Sequence, residues 1–148
     1  MKSDIKIYET LSPEETLEVG KELGKASVAG QVYALVGDLG VGKTVFTKGF
    51  AEGLGIEEAV NSPTFTILQI YTEGRLALYH FDVYRIGDSE EMFEIGWEDY
   101  VYGDGVCLIE WADLIPDLIG ELPPEKVTHI TIEKDPEKGP DYRRISIS

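Results

Sequence analysis

The sequence predicts an α/β fold, a three-layer sandwich with helices on a mixed, mainly parallel central sheet. Three observations carry that expectation. "VYALV" (32–36) is an apolar run that passes directly into a glycine-rich turn and then an amphipathic helix. "VCLIE" (106–110) is a second unbroken apolar run, and a strand without polar alternation is buried on both faces, as in a parallel sheet. The segments 61–71 and 75–84 flank the turn "TEG" closely enough to form an antiparallel hairpin. Together, β–α–β units and hairpins give a sandwich built on a mixed sheet.

Taken in order, "IKIY" (5–8) reads as a short strand. A helix follows over 12–27. Ser12 stands at its N-cap, Pro13 at the first helical position and Glu15 where a capping box needs an acid. Leu17, Gly20, Leu23 and Gly24 make one small-to-apolar face. After "VYALV" and its turn, Phe46, Phe50 and Leu54 recur at helical spacing, and Gly55 ends that helix. Residues 88–101 read as one or two short helices with Ser89 as a cap, and "DLIPDLIGEL" as helical or irregular. "VTHITIE" (127–133) alternates as a strand, a turn-rich loop follows, and "YRRISIS" (142–148) returns to pair with it.

Length and charge narrow the class. The 148 residues suit one domain, 1–148, with a real hydrophobic core. No apolar run approaches the ~20 residues of a membrane helix, and "MKSDIKIYET" carries no apolar signal core, so a cytoplasmic, membrane-free protein is expected. The lone cysteine, Cys107, lies in an apolar run and reads as a small buried hydrophobe. A net charge of −15 argues against an extended nucleic-acid surface, although a small basic patch at Arg143 and Arg144 stays open. In a nucleic-acid pathway such a chain is expected to dock on protein; acidity serving only solubility is the equal alternative.

The chemistry concentrates in "ALVGDLGVGKTVF" (34–46). Gly37, four residues, Gly42, Lys43 and Thr44 make the phosphate-loop pattern G-x-x-x-x-G-K-[ST]. Glycines let backbone N–H groups approach phosphate closely. Lys43 can reach the β- and γ-phosphates, the Thr44 hydroxyl can ligate Mg²⁺, and the next helix aims its positive end at the same anion. A strand–turn–helix corner with an incidental lysine is the competing reading. It is disfavoured because the strand before and the helix after are what the motif requires. The fold is therefore expected to be of the P-loop NTPase type.

A triphosphate site also needs carboxylates. Glu110 ends the apolar strand "VCLIE", where it can hold Mg²⁺ or accept a proton from water. Asp82 closes another strand run and could orient water; alone it is equally a turn residue or an ion-pair partner of Arg85. Thr64, in the loop "SPTF", could sense the γ-phosphate through Mg²⁺. His80 reads as a strand side chain rather than a metal ligand, because no second His or Cys cluster accompanies it. Trp97 and Trp111 read first as packing residues. A GTPase would need a guanine-selecting N/T-K-x-D segment that this chain lacks. A small P-loop metabolite kinase would need cations around its acceptor, and only four arginines are present, none in an obvious lid. An ATP-binding protein that hydrolyses slowly, or only when a partner completes the site, is the leading reading. The metabolite kinase is the alternative, and a non-enzymatic nucleotide-dependent binding module is the third.

"GDLGVGKTVFTKGF", "SPTFTILQIY", "YHFDVYRI" and "VCLIEWAD" occur in the order and spacing of the TsaE (YjeE) family, which the chain resembles over roughly residues 5 to 148. That resemblance implies a weak ATPase of bacterial tRNA threonylcarbamoyladenosine biosynthesis. ATP and Mg²⁺ would be its ligands and ADP its product, and the TsaB–TsaD complex its stimulating partner. In that system TsaC makes the threonylcarbamoyl-adenylate, and TsaD with TsaB transfers the group to adenosine 37 of tRNAs reading codons that begin with A. It further implies that Gly40, Val41, Gly42, Lys43, Thr44 and Val45 wrap the phosphates. Thr44 and Glu110 would hold Mg²⁺, Thr64 and Asp82 would belong to two switch-like loops with Asp82 needed for hydrolysis, and Trp111 would sit beside the nucleotide. Val45 departs from the threonine or serine many members carry there, which removes a hydroxyl contact. The acidic, aromatic stretch "EEMFEIGWEDY" (90–100) is expected to help dock the partner or, equally, to pack on the core.

Overall fold

The computed structural model describes residues 5–37, 42–58, 60 and 67–148; the assignments made to Gly40, Val41 and Thr64 lie outside the described residues. Among the described residues there are seven strands: β1 (Lys6–Thr10), β2 (Val32–Val36), β3 (Leu68–Tyr71), β4 (Leu78–Asp82), β5 (Val106–Glu110), β6 (Val127–Lys134) and β7 (Arg143–Ile147). They form one sheet in the order β1-β7-β6-β2-β5-β4-β3. β6, β2, β5 and β4 run parallel at its centre. β7 is antiparallel to both β6 and β1, so β1 points with the central four and only β7 and β3 run against them. The apolar runs "VYALV" and "VCLIE" are the two middle strands, buried on both sides as their lack of polar alternation requires.

Helices α1 (Pro13–Ala26) and α2 (Lys43–Gly53) cover one face; α3 (Glu90–Glu94), α4 (Trp97–Val101) and α5 (Pro116–Glu121) cover the other. Strand alternation sorts the core accordingly. Tyr33, Leu35, Leu78, Val106 and Leu108 pack with Phe46, Phe50 and Leu54. Val32, Ala34, Phe81, Cys107 and Ile109 pack with Met92, Trp97 and Leu118. The three-layer expectation holds for this reason. No described helix is long and apolar enough to cross a membrane.

The start of α1 follows its sequence signature. The Ser12 hydroxyl accepts from the Glu15 N–H at 3.2 Å, and Glu15 reaches back to the Leu11 N–H at 2.7 Å. α1 lies against α2 through reciprocal glycines. A Cβ on Gly20 would fall 2.3 Å from the Phe46 carbonyl oxygen, and one on Gly49 would fall 2.0 Å from that of Leu17. Gly24 and Gly53 repeat the relationship one turn along, at 2.2 Å in each direction. Four missing side chains therefore let two backbones touch, and α2, which starts at the phosphate loop, is anchored along its length.

Several expectations change at the edges. The strand read over 75–84 is shorter, because Arg75 serves another purpose. Its guanidinium donates to the carbonyls of Gly24, Lys25 and Ser27 at 2.8, 2.9 and 2.7 Å, satisfying the C-terminal end of α1. Residues 88–101 form two helices, broken at Gly96, whose φ of 91° is left-handed. Ser89 occupies the N-cap of α3, yet its hydroxyl donates to Asp117 at 2.9 Å instead of capping. Within "EEMFEIGWEDY", Met92 and Trp97 are core residues while Phe93, Glu90 and Glu91 are exposed, so the stretch packs on one side and faces solvent on the other.

Candidate functional site

Parallel strands deliver their final residues to one edge, and here those residues are the ones with chemistry. β2 ends one residue before Gly37; in register across the sheet, Leu35 lies beside Glu110 and Glu110 beside Asp82. The crevice beyond the carboxyl ends of such strands is where α/β sheets bind ligands. α2 begins there too. Gly42 precedes it in the left-handed region at φ 103°, a conformation that favours glycine. The Phe46 N–H bonds back to the Gly42 carbonyl at 3.0 Å. The positive end of α2 thus lies at the same edge of the sheet.

Lys43 is folded back into the site and only 6% exposed. Its Nζ donates to the Gly37 carbonyl and lies 3.6 Å from the centroid of the Trp111 ring. Thr44 is exposed in the first turn, and Val45 is half-buried beside it. Trp111 follows Glu110 directly and adopts a left-handed backbone, φ 64° and ψ 35°, the only such non-glycine among the described residues. Its ring also packs on Tyr84, with centroids 4.6 Å apart. Trp111 is thus partly buried, packing on the edge of the core that holds Trp97 while its ring meets Lys43 and Tyr84.

The two carboxylates differ in setting. Glu110 is 2% exposed, and its Oε2 lies 2.5 Å from Nε2 of the fully buried His80. Asp82 is half-buried and accepts the Tyr84 N–H at 3.0 Å, closing a tight turn after β4. Burial raises the Asp82 carboxyl above its ordinary value; the Tyr84 N–H and Lys43 oppose the rise, and the Glu110 carboxylate adds to it. Asp82 makes no ion pair with Arg85, which is exposed, so the turn reading of Asp82 replaces the ion-pair reading.

The sequence reading brought Lys43, Asp82, Glu110 and Trp111 to one place but missed three contributors. By sequence His80 reads as an ordinary strand residue. Period-2 alternation sets it on the face of Asp82, and the β4–β5 register sets it diagonal to Glu110. The Gly37 carbonyl that receives Lys43 and the Tyr84 ring behind Trp111 left no sequence signal, because both depend on how separate loops approach.

As donors, a threonine hydroxyl and carboxylate oxygens suit a hard divalent cation such as Mg²⁺. Among the described residues no three His, Cys, Asp or Glu side chains cluster to hold a metal by themselves.

The family model described as "Threonylcarbamoyl adenosine biosynthesis protein TsaE" matches residues 10–145. The chain is 48% identical over 141 residues to the tRNA threonylcarbamoyladenosine biosynthesis protein TsaE of Bacillus subtilis, covering 95% of this chain and 84% of that one. It is 48% identical over 117 residues to the protein of that name from Treponema pallidum, covering 79% and 84%. The crystal structure of YdiB from Bacillus subtilis superimposes with a TM-score of 0.80 at 42% identity, over 97% of this chain and 84% of that one.

Proposed function

The chain belongs to the TsaE family, and from that membership we propose an ATP-binding, Mg²⁺-dependent ATPase that supports threonylcarbamoylation of adenosine 37 in tRNAs reading codons that begin with A. It acts in the cytoplasm through the TsaB–TsaD complex and is not itself the transferase. The observation that carries the reading is the convergence of Lys43, Asp82 and Glu110 at the end of the parallel strands, beside the start of α2.

Each residue has a task in this reading. Lys43 exchanges the Gly37 carbonyl and the Trp111 ring for phosphate oxygens and neutralises charge at the β/γ end. Gly40, Val41, Gly42 and Val45 contribute backbone N–H groups to the phosphates, and Thr64 reports on the γ-phosphate from its loop. Thr44 and Glu110 would hold Mg²⁺, which would neutralise phosphate charge there. Asp82, with its raised proton affinity, orients the attacking water and takes its proton. A protein of charge −15 docks on its protein partners rather than along tRNA. The exposed Glu90, Glu91 and Phe93 form one part of that docking face.

The test is ATP turnover with and without TsaB and TsaD. Stimulation by the partners is expected, with Lys43→Ala losing binding, Glu110→Ala losing Mg²⁺-dependent turnover and Asp82→Ala losing turnover more than binding. Turnover intact in all three variants overturns the site assignment. Phosphoryl transfer to an added metabolite without partners would establish the kinase instead, and ATP left intact after long incubation with both partners a binding module. Charge reversal of Glu90 and Glu91 without loss of TsaB–TsaD binding removes that stretch from the docking face.

A further inference from the structure

Glu110 is the least solvated acid of the site, and the group that holds it is His80. The imidazole is 0% exposed and sits on β4, one strand from Glu110, with Nε2 2.5 Å from Oε2. An ionised carboxylate can only accept a hydrogen bond, so the shared proton belongs to Nε2. Nδ1 is buried and has no hydrogen-bond partner among the described residues. A proton there would be an N–H buried without an acceptor, whereas a bare lone pair is tolerated more readily. With Glu110 as the acceptor, Nε2–H is the tautomer that leaves no ring N–H buried without a partner.

We propose that His80 is the positioning residue of Glu110: its Nε2–H pins Oε2, which leaves Oε1 as the oxygen presented toward the Lys43–Thr44 end of the site. Two features make the device rigid. Both residues lie in paired central strands, in register through His80 with Leu108 and Asp82 with Glu110. Both are also packed on the face covered by α2, which its glycine contacts with α1 hold in place. A carboxylate without this bond would be free to turn about its last torsion. His80 thus fixes where the carboxylate points. Outer-shell partners of this kind typically set ligand affinity by about 10–100-fold.

The inference rests on the ATPase reading for its functional consequence but not for its geometry, and the experiment separates the two. Ring ¹⁵N–¹H spectra of the nucleotide-free chain come first; with two histidines, His129→Gln assigns the signals. A proton on Nε2 of His80 is expected, and one on Nδ1 overturns the proposal whatever the enzyme does. Mg²⁺ half-saturation of ATP turnover is then compared in the parent, His80→Leu and His80→Gln, alongside ATP binding in EDTA. His80→Leu should raise the Mg²⁺ requirement by about tenfold or more with metal-free ATP binding unchanged. His80→Gln, which returns an N–H donor at nearly the same reach, should recover most of the loss. A leucine variant that folds with the parent's Mg²⁺ requirement overturns the proposal. So does a folded glutamine variant as impaired as leucine, because packing and not the donor would then matter. If the parent shows no Mg²⁺-dependent turnover, the ATPase reading falls, and the ring spectrum alone decides the role of His80.

Discussion

The Lys43 ammonium lies 3.6 Å from the centre of the Trp111 ring, and Trp111 reaches that position through a left-handed backbone at φ 64°. A cation–π contact is worth about 0.5–2 kcal/mol, and a strained non-glycine conformation costs about 1–3 kcal/mol. The contact thus offsets much of the strain, and the arrangement depends on the lysine that a phosphate would claim. The ring has Tyr84, itself 45% exposed, on its other contact.

Binding of ATP should therefore change Trp111 fluorescence. Trp97, 3% exposed against Phe81, supplies a constant background. The expected change is present in the parent and in Trp97→Phe and absent in Trp111→Phe. A parent whose fluorescence is unchanged by saturating ATP would show that Lys43 does not leave the ring, and a signal that survives Trp111→Phe would show that another residue reports binding.

The α1–α2 glycines should tolerate no methyl group. Gly20→Ala and Gly49→Ala each place a Cβ within 2.3 Å of a backbone oxygen, so the helices must separate. A loss of about 1–3 kcal/mol in urea unfolding is expected for each. Gly120→Ala is the control: nothing lies within 4 Å of its Cβ, and in α5 alanine should be neutral or stabilising by up to about 1 kcal/mol. Equal stability of Gly49→Ala and the parent would disprove the close seam.

Asp82 should make stability depend on pH in a direction opposite to a paired carboxylate. Its folded pKa is raised, chiefly by burial, so the folded chain binds this proton more tightly than the unfolded one. Its contribution is present below the ordinary Asp value of about 4 and is lost as pH rises through the raised value. Asp82→Asn keeps an oxygen for the Tyr84 N–H and removes the titration. The variant should gain on the parent as pH climbs through that window, seen as diverging urea midpoints. Parallel pH profiles would show that the site does not disfavour the Asp82 charge.

Cys107 should be silent toward thiol reagents until the chain unfolds. Burial pushes its thiol up to about 12, it is 1% exposed, and its Sγ lies 3.4 Å from the Tyr100 carbonyl. At pH 8 only about one thiol in ten thousand would be ionised. Labelling by a disulfide reagent should track urea unfolding, and rapid labelling of the folded protein would contradict the burial of β5.

The amino-acid sequence by itself determined the class of fold and the glycine-rich G-x-x-x-x-G-K-T pattern, because both are local. Unbroken apolar strands, a glycine-rich turn and a capped amphipathic helix are patterns within a few residues. Glu110 and Asp82 could also be nominated, since each ends an apolar run. Only the tertiary structure decided how the acids differ. Glu110 is buried against His80, while Asp82 is half-buried in a turn, and the difference arises from β4–β5 register and from what α2 covers. The same holds for Arg75, which looked like part of a strand and became the cap of a helix 48 to 51 positions earlier in the chain. Trp111, too, could be packing or site until its backbone turned it onto Lys43. These roles come from contacts between segments far apart in sequence, whose partners are set by packing and not by local pattern.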